Sequence, residues 1–440
     1  MFFTRAQIVI LCMCTMTLGQ VLKQTKSPII FNKPFITVWN APTADCKSSF
    51  DVDLNLGIFD IFANQNESFI GQNITIFYED KLGYYPHYTE SGVSVNGGTP
   101  QNASLKDHIA KAKVDVETLI PQKDFDGMSV IDWESWRPLW FRDWDQKDIY
   151  REKSKQLVHM QHPDWSDSQV AKQAQIEYER AARAFMGQTL KVSKGLRPKG
   201  LWGYYGFPCC YNDEFSKNYT GKCPDVEMKR NDQLAWLWKE SIALYPSIYL
   251  SVKLRTTPSA QRYVHYRMKE GLRLAEMGLN YSLPVIPYAR IVYENTMDFL
   301  TEIDLVHTIG ESAAMGAAGI VLWGNKDYAH SQESCLALKA YINGLLGTYI
   351  VNVTTAAVLC SRHLCSNHGR CIRSDHRTQA YLHLNPNSFV VKVNPIGKGP
   401  PFSLWGQASK RDVVEMADSF RCQCYNGWMG AHCKIASDTN

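Results

Sequence analysis

Excess charge of either sign is missing from this chain. Its 440 residues carry 47 Lys and Arg against 43 Asp and Glu, a formal net charge of +4. That balance excludes the strongly basic footprint with which nucleic acid is held. It tolerates an acidic substrate without demanding one. Long apolar runs are missing at both ends. Ile8 to Met16 is too short to cross a bilayer. Lys434 to Asn440 is polar, so no lipid-anchor tail is expected. No metal constellation is visible either. His87, His108, His159, His162 and His265 do not pair with other donors at ligand spacing and read as surface or structural residues. There is no glycine loop to cradle phosphate and no Gly-x-Ser-x-Gly elbow. No metal and no other cofactor is expected.

What is present points to an oxidising compartment. Arg5, the apolar run after it and Leu18-Gly19-Gln20 have the order of a secretory signal, assigned to residues 1–20. Six Asn-x-Ser/Thr sequons follow, at Asn66, Asn73, Asn102, Asn218, Asn280 and Asn352. Of 13 cysteines, Cys12 and Cys14 leave with the signal. The eleven that remain fit disulfides with one thiol left over. A soluble secreted or lysosomal glycoprotein is expected.

Hydrophobic residues make up 45%, enough for a sizeable core. From Lys33 to Thr348, short apolar runs alternate with longer helical patterns. The runs are 35–39, 59–63, 74–78, 128–133, 200–207, 247–252, 283–293 and 318–323. The patterns include one long helix over Asp148–Lys194, then Gln261–Met277 and Ser331–Leu346. Strands alternating with helices imply parallel pairing, and about eight of them suggest an α/β barrel over 21–350. The section 351–440 differs: Cys360, Cys365, Cys371, Cys422, Cys424 and Cys433 are dense there. The ending Cys422-Gln423-Cys424-Tyr425-Asn426-Gly427-Trp428, with Gly430 and Cys433, has the spacing of an epidermal-growth-factor-like module. An insertion of about fifty residues between Cys371 and Cys422 departs from that module and holds a strand-like stretch, Ser388–Val393.

The chemistry is expected at Ser129-Val130-Ile131-Asp132-Trp133-Glu134. On a strand, residues i and i+2 share a face, so Asp132 and Glu134 would face one space. Two neighbouring carboxylates do not both ionise cheaply, and one pKa rises. A carboxylic acid kept protonated near neutral pH is what glycoside cleavage requires. Trp133, Trp136, Trp140 and Trp144 crowd the stretch and predict a semi-enclosed aromatic site. The strand ends of such a barrel would present Asn40, Tyr78, Asp132, Glu134, Tyr205, Tyr249 and Trp323. Aromatic faces with amides are a sugar-binding composition, although any one of these aromatics alone reads as core.

Six stretches carry a resemblance. They are Val38-Trp39-Asn40-Ala41-Pro42-Thr43, Val130 to Glu134, Gly200-Leu201-Trp202-Gly203-Tyr204-Tyr205, Asn231-Asp232-Gln233-Leu234, Ala243 to Tyr249 (Ala-Leu-Tyr-Pro-Ser-Ile-Tyr) and Gly319-Ile320-Val321-Leu322-Trp323-Gly324. In this order they resemble the animal hyaluronidases, a glycoside hydrolase family. The resemblance implies a distorted TIM-like barrel with an appended growth-factor-like module, acting on hyaluronan and possibly chondroitin. It implies endo-cleavage of β-1,4 bonds by a retaining, substrate-assisted route. In that route Glu134 is the acid/base, and Asp132 orients the acetamido group and raises the pKa of Glu134. Tyr205 and Tyr249 would polarise the acetamido group. Trp323 would wall its pocket, with Tyr78, Asn40, Ser247 and Tyr211 at further positions. Arg267 would meet a substrate carboxylate or serve a structural salt bridge, and Glu294 would line the cleft.

The same resemblance implies the pairs Cys46–Cys335, Cys210–Cys223, Cys360–Cys371, Cys365–Cys422 and Cys424–Cys433. Relatives commonly carry an acidic residue where this chain has Cys209, so either Cys209 or Cys210 can take Cys223, with Cys210 implied. Two other classes compete: a non-catalytic glycosaminoglycan- or cell-surface-binding protein on the same scaffold, and a chitinase-like enzyme on neutral polymer. A monomer without nucleic-acid partner or membrane anchor is expected.

Overall fold

The structure is a computed structural model and describes residues 22–62, 64–394 and 401–437. The expected signal, 1–20, lies outside the described residues. Strands that bear on the site are β1 (Ile36–Asn40), β2 (Ile61–Phe62), β3 (Ile74–Phe77), β4 (Met128–Ile131), β5 (Leu201–Tyr204), β6 (Tyr288–Ala289) and β7 (Gly319–Trp323). They form two parallel sheets, ordered β2-β1-β7-β6 and β3-β4-β5. Parallel bridges Tyr205–Tyr245, Leu244–Val285 and Ser247–Tyr288 insert the segment 244–247 between β5 and β6. At the other end the Asn64 side chain donates to the Ile74 carbonyl (2.7 Å), tying the chain after β2 to β3. Eight parallel segments therefore follow one another around a common interior.

Alternation along these segments sorts the core. Ile36 and Val38, Ile74 and Ile76, and Met128 and Val130 meet Tyr245, Ile286, Tyr288 and Val321 inside. Their neighbours Trp39, Phe77, Ile131, Trp202, Tyr204, Ile320 and Leu322 join a larger outer cluster with the helices. Both faces are buried, which is why the strands read as continuous apolar runs.

Two expected strands are shorter than their runs. In 283–293 only Tyr288–Ala289 is regular, and 247–252 contributes an isolated bridge. Pro246, Pro284 and Pro287 explain this: their carbonyls accept ladder bonds from Tyr288, Leu244 and Val321, but they have no N–H to return. The single long helix expected over 148–194 is two, Asp148–Gln161 and Asp167–Leu196. Pro163 lies in the break, and a Ser166–Gln169 capping box starts the second helix.

Five disulfides are present: Cys46–Cys335, Cys210–Cys223, Cys360–Cys371, Cys365–Cys422 and Cys424–Cys433. Cys209 keeps its thiol. The helix Gly347–Leu364 runs across the boundary expected at residue 350. Together with the turns before it, it makes the stretch 332–364 long and apolar enough to cross a membrane (mean hydropathy 1.5), with half of it buried against the protein. It packs under β8 (Gly369–Arg373), which pairs with β11 (Phe420–Cys424), and under the hairpin β9 (Phe389–Val393) and β10 (Phe402–Gly406).

Charge joins the C-terminal section to the rest. The Arg373 guanidinium on β8 donates twice to Glu311 (3.0 and 2.8 Å), and His265 lies 2.7 Å from the same carboxylate. Glu311 is fully buried, and the Arg373 side chain is nearly so. Removing one partner of such a pair strands a charge. Arg373→Met is expected to cost about 3–5 kcal/mol, read as a lower thermal midpoint and secreted yield. Glu311→Met with Arg373→Met should recover most of it. An unchanged midpoint in the single variant would show that the pair does not hold the two parts together.

Candidate active site

Register brings the candidate residues to one level. Asn40 pairs with Trp323 across β1 and β7, and Phe77, Ile131 and Tyr204 align across β3, β4 and β5. The next residues, Tyr78, Asp132 and Tyr205, leave those strands together, with Asp132 N–H donating to the Phe77 carbonyl and Tyr205 N–H to the Ile131 carbonyl (both 2.9 Å). The C-terminal ends of parallel strands thus carry the site, where such sheets ordinarily place chemistry.

A cavity of about 120 Å³ lies there, lined by Ile76, Val130, Asp132, Glu134, Tyr205, Tyr249, Tyr288 and Trp323. Its wall is an aromatic stack. Trp323 lies nearly parallel to Tyr249 (6.0 Å, 21°) and to Phe69 (6.3 Å, 12°), and its indole N–H donates to the Tyr78 hydroxyl (3.4 Å). The Tyr205 hydroxyl donates to Ser247 Oγ (3.4 Å) and shares a hydrogen bond with Tyr249. Burial pushes Tyr78 up to about 12 and holds Tyr205, Tyr249 and Tyr288 well above the ordinary phenol range. All four remain protonated donors at any working pH. Asn40 is buried with its side-chain oxygen unpartnered, and its carbonyl accepts from Gly324 N–H (3.2 Å).

The two carboxylates differ. Asp132 is half-buried, with its Oδ1 enclosed and without a hydrogen-bond partner. Burial first, then the Glu134 charge, pushes it up to about 8, against the pull of Arg137. Glu134 is 54% exposed and pairs with Arg137 (3.4 Å). Asp132 lines the cavity while Glu134 looks out. The reading of the four tryptophans is corrected. Trp133, Trp136 and Trp140 are buried, and Trp133 and Trp136 stack on Tyr85 (4.6 and 5.3 Å) behind the acid loop. Only Trp144 of the four is exposed, edge-on to Tyr211 (5.1 Å).

Asn40, Tyr78 and Ser247 adjoin lining residues without lining the cavity themselves, and three further candidates lie off it. Tyr211 is held under the Arg142 guanidinium (4.9 Å) and hydrogen-bonds Arg137. Arg267 commits its guanidinium to Asn212 Oδ1, the Ser247 carbonyl and Asp213 Oδ1 (2.8, 2.9 and 2.8 Å). Of its two readings, the structural salt bridge is the one the geometry shows. Glu294 is raised by burial, with Arg267 opposing. Cys209 is half-buried within electrostatic reach of Arg137 and Arg267. Sequence reasoning missed Tyr288, Phe69 and Arg137. Tyr288 was inside a recognised run with no marker of its face. Arg137 stood three residues after Glu134 and was a findable signal. Among the sequons, Asn66, Asn73, Asn102, Asn218 and Asn280 are exposed. Asn352 is half-buried on a helix, and its Oδ1 accepts the Leu384 N–H (2.9 Å).

A phenol-lined cavity with an unequal acid pair at the ends of parallel strands has the composition of a glycoside hydrolase site. The family model for hyaluronidases matches residues 24–437, and the chain belongs to that family. Curated relatives are similar over nearly their whole length. Mouse Hyaluronidase-1 is 49% identical over 419 residues, covering 95% of this chain and 90% of its own. Human Hyaluronidase-1 is 47% identical over 433 residues, with 98% and 99% covered, and Hyaluronidase-1 of Bitis arietans is 48% identical over 413 residues, with 93% and 92% covered. Bee venom hyaluronidase, solved in complex with a hyaluronic acid tetramer, superposes with a TM-score of 0.66 at 32% identity, over 72% of this chain and 98% of that one. The chain is an enzyme of the hyaluronidase class.

The burial of Asp132 has a pH signature. Its folded value, about 8, lies above the ordinary 3.8. The folded state therefore holds a proton that the unfolded chain releases at lower pH. This contribution to stability is complete below the ordinary value and is lost as pH rises through about 8. Asp132→Asn should flatten the fall in thermal midpoint across that window. A variant with the same pH slope as the parent would show that Asp132 is not the raised group.

Proposed function

We propose that this chain is an endo-acting hydrolase of hyaluronan, with chondroitin as a second substrate, built on a distorted TIM-like barrel over 21–350 with an EGF-like module over 351–440. The eight consecutive parallel segments and the paired cysteines around β8 and β11 support that architecture. The observation that carries the reaction is the unpartnered oxygen of Asp132, a carboxyl raised by desolvation, beside an outward-facing Glu134 in one cavity.

Catalysis follows from that asymmetry. The acetamido group of an N-acetylhexosamine enters the tyrosine-lined cavity and its N–H is offered to Asp132. A hydrogen bond of this kind favours the charged carboxylate, so the proton Asp132 gives up becomes available to the pair. Glu134 protonates the leaving glycosidic oxygen while the acetamido carbonyl oxygen attacks the anomeric carbon. The glycosidic C–O bond breaks as the intramolecular C–O bond forms, leaving a cyclic oxazolinium. Glu134, now a carboxylate, takes a proton from water, which opens that ring from the opposite face and regenerates the acetamido group. Two inversions retain configuration. A nucleophile within the substrate is already placed, so no protein carboxylate need attack. Tyr205, Tyr249 and Ser247 orient the acetamido group, Trp323 and Tyr78 wall it, and Asn40 supports the wall. Tyr211, Arg267 and Glu294 shape the cleft beside it. No cofactor enters. We read the mature chain as a monomer, secreted or lysosomal, with glycans at the exposed sequons.

The test is size analysis of hyaluronan incubated with the protein from acidic to neutral pH. Progressive shortening to even-numbered oligosaccharides with saturated ends is expected. Glu134→Gln should lower kcat by at least about 10²–10⁴-fold and still bind polymer. Turnover near the parental rate would remove Glu134 from the acid role. Tyr249→Phe, which loses one hydroxyl, should cost about tenfold or less.

A further inference from the structure

The inserted segment of the C-terminal section has a charge pattern unlike the rest of the chain. Between His376 and Arg411 there are five Lys and Arg and no Asp or Glu, whereas the whole chain nets only +4. Arg377 and Arg411 are paired with Asp375 and Glu415. Among the described residues, Lys392 and Lys410 are exposed and form no salt bridge.

The hairpin of this segment has two unlike faces. Phe389 and Phe402 are buried, with Val391 packed beside them against the core. The opposite face carries Val390, Lys392, Ser403 and Trp405, with Val390 paired to Trp405 and Lys392 to Ser403. Trp405 is 63% exposed and Val390 50%. The Lys392 ammonium sits 5.9 Å from the Trp405 ring centroid. Lys410 follows Trp405 by five residues, so the chain confines it to within about 18 Å. An exposed indole on a β-ribbon is a liability unless it has an occupant.

We propose that this outer hairpin face, centred on Trp405 and Lys392, is a second binding surface for the anionic polysaccharide, separate from the cleft. The apolar C–H face of a pyranose stacks on the indole, and a uronate carboxylate meets Lys392, with Lys410 taking the next along the strand. Complementarity of charge selects this occupant. A second copy docking face to face would bring the same lysines together. A polymer held at two points is retained by effective concentration, which makes the gain specific to long chains. The proposal rests on the reading that the substrate polymer is hyaluronan.

The test compares Trp405→Ala and Lys392→Glu in the full-length Glu134→Gln background. Binding is measured to high-molecular-mass hyaluronan, to hyaluronan tetrasaccharide and to neutral dextran. Polymer affinity should fall at least tenfold, with tetrasaccharide affinity and thermal midpoint unchanged and no dextran binding. Equal polymer affinity in both variants overturns the proposal. So does a Trp405→Ala effect seen only as a change in sedimentation (a second copy) or in binding to phosphatidylcholine–phosphatidylserine vesicles (a membrane). Should Trp405→Ala fail to fold, Lys392→Glu decides alone. Turnover by Glu134→Gln would defeat the catalytic reading and leave this comparison, which reads binding only, intact.

Discussion

The buried carboxylate of Glu311 is held from two directions at once. His265 reaches it from the helix Pro258–Ala275, and Arg373 reaches it from β8 in the disulfide-rich section. A charge in such surroundings is tolerated only while its partners stay in place. The parallel-stranded part and the C-terminal section are therefore not independent. The helix Gly347–Leu364 is shared between them, and the Asn352 side chain holds the Leu384 amide across the junction. Glu311 opens the short helix Glu311–Met315, which leads into β7, the strand that delivers Trp323 to the cavity.

The cavity works by inequality within a pair of like groups. Both carboxylates belong to one short segment after β4, yet one is half-buried with an enclosed oxygen and the other faces outward beside Arg137. Raising one proton affinity by desolvation is a recurrent way to keep an acid protonated near neutral pH. Here desolvation raises the inner member, Asp132. The surrounding phenols add donors that never ionise in the working range.

Much of the fold was legible because apolar runs in a parallel sheet buried on both faces are nearly continuous. The runs of β1, β3, β4, β5 and β7 stood out for that reason, and so did the acid pair at the end of β4. Where proline interrupted the ladder, at 246, 284 and 287, the runs promised more strand than the hydrogen bonds allow. The break at Pro163 was readable and was passed over because alanines on either side keep helical spacing. The tryptophans after the acid pair misled for a different reason. Composition counts aromatics but does not say which face of the chain they take, and three of four turned inward onto Tyr85 and Tyr178.

Local sequence alone determined the strand–helix alternation, the two carboxylates one residue apart and the dense C-terminal cysteines, because each depends on neighbours along the chain. Tertiary structure decided that desolvation raises Asp132, since that depends on Tyr205, Tyr288 and other cavity residues far away in sequence. It decided that Arg267 is committed to Asn212, Ser247 and Asp213, since a guanidinium's partners are set by packing. It also decided that Cys210 rather than Cys209 meets Cys223, because adjacent residues point their side chains apart and only one direction reaches the partner.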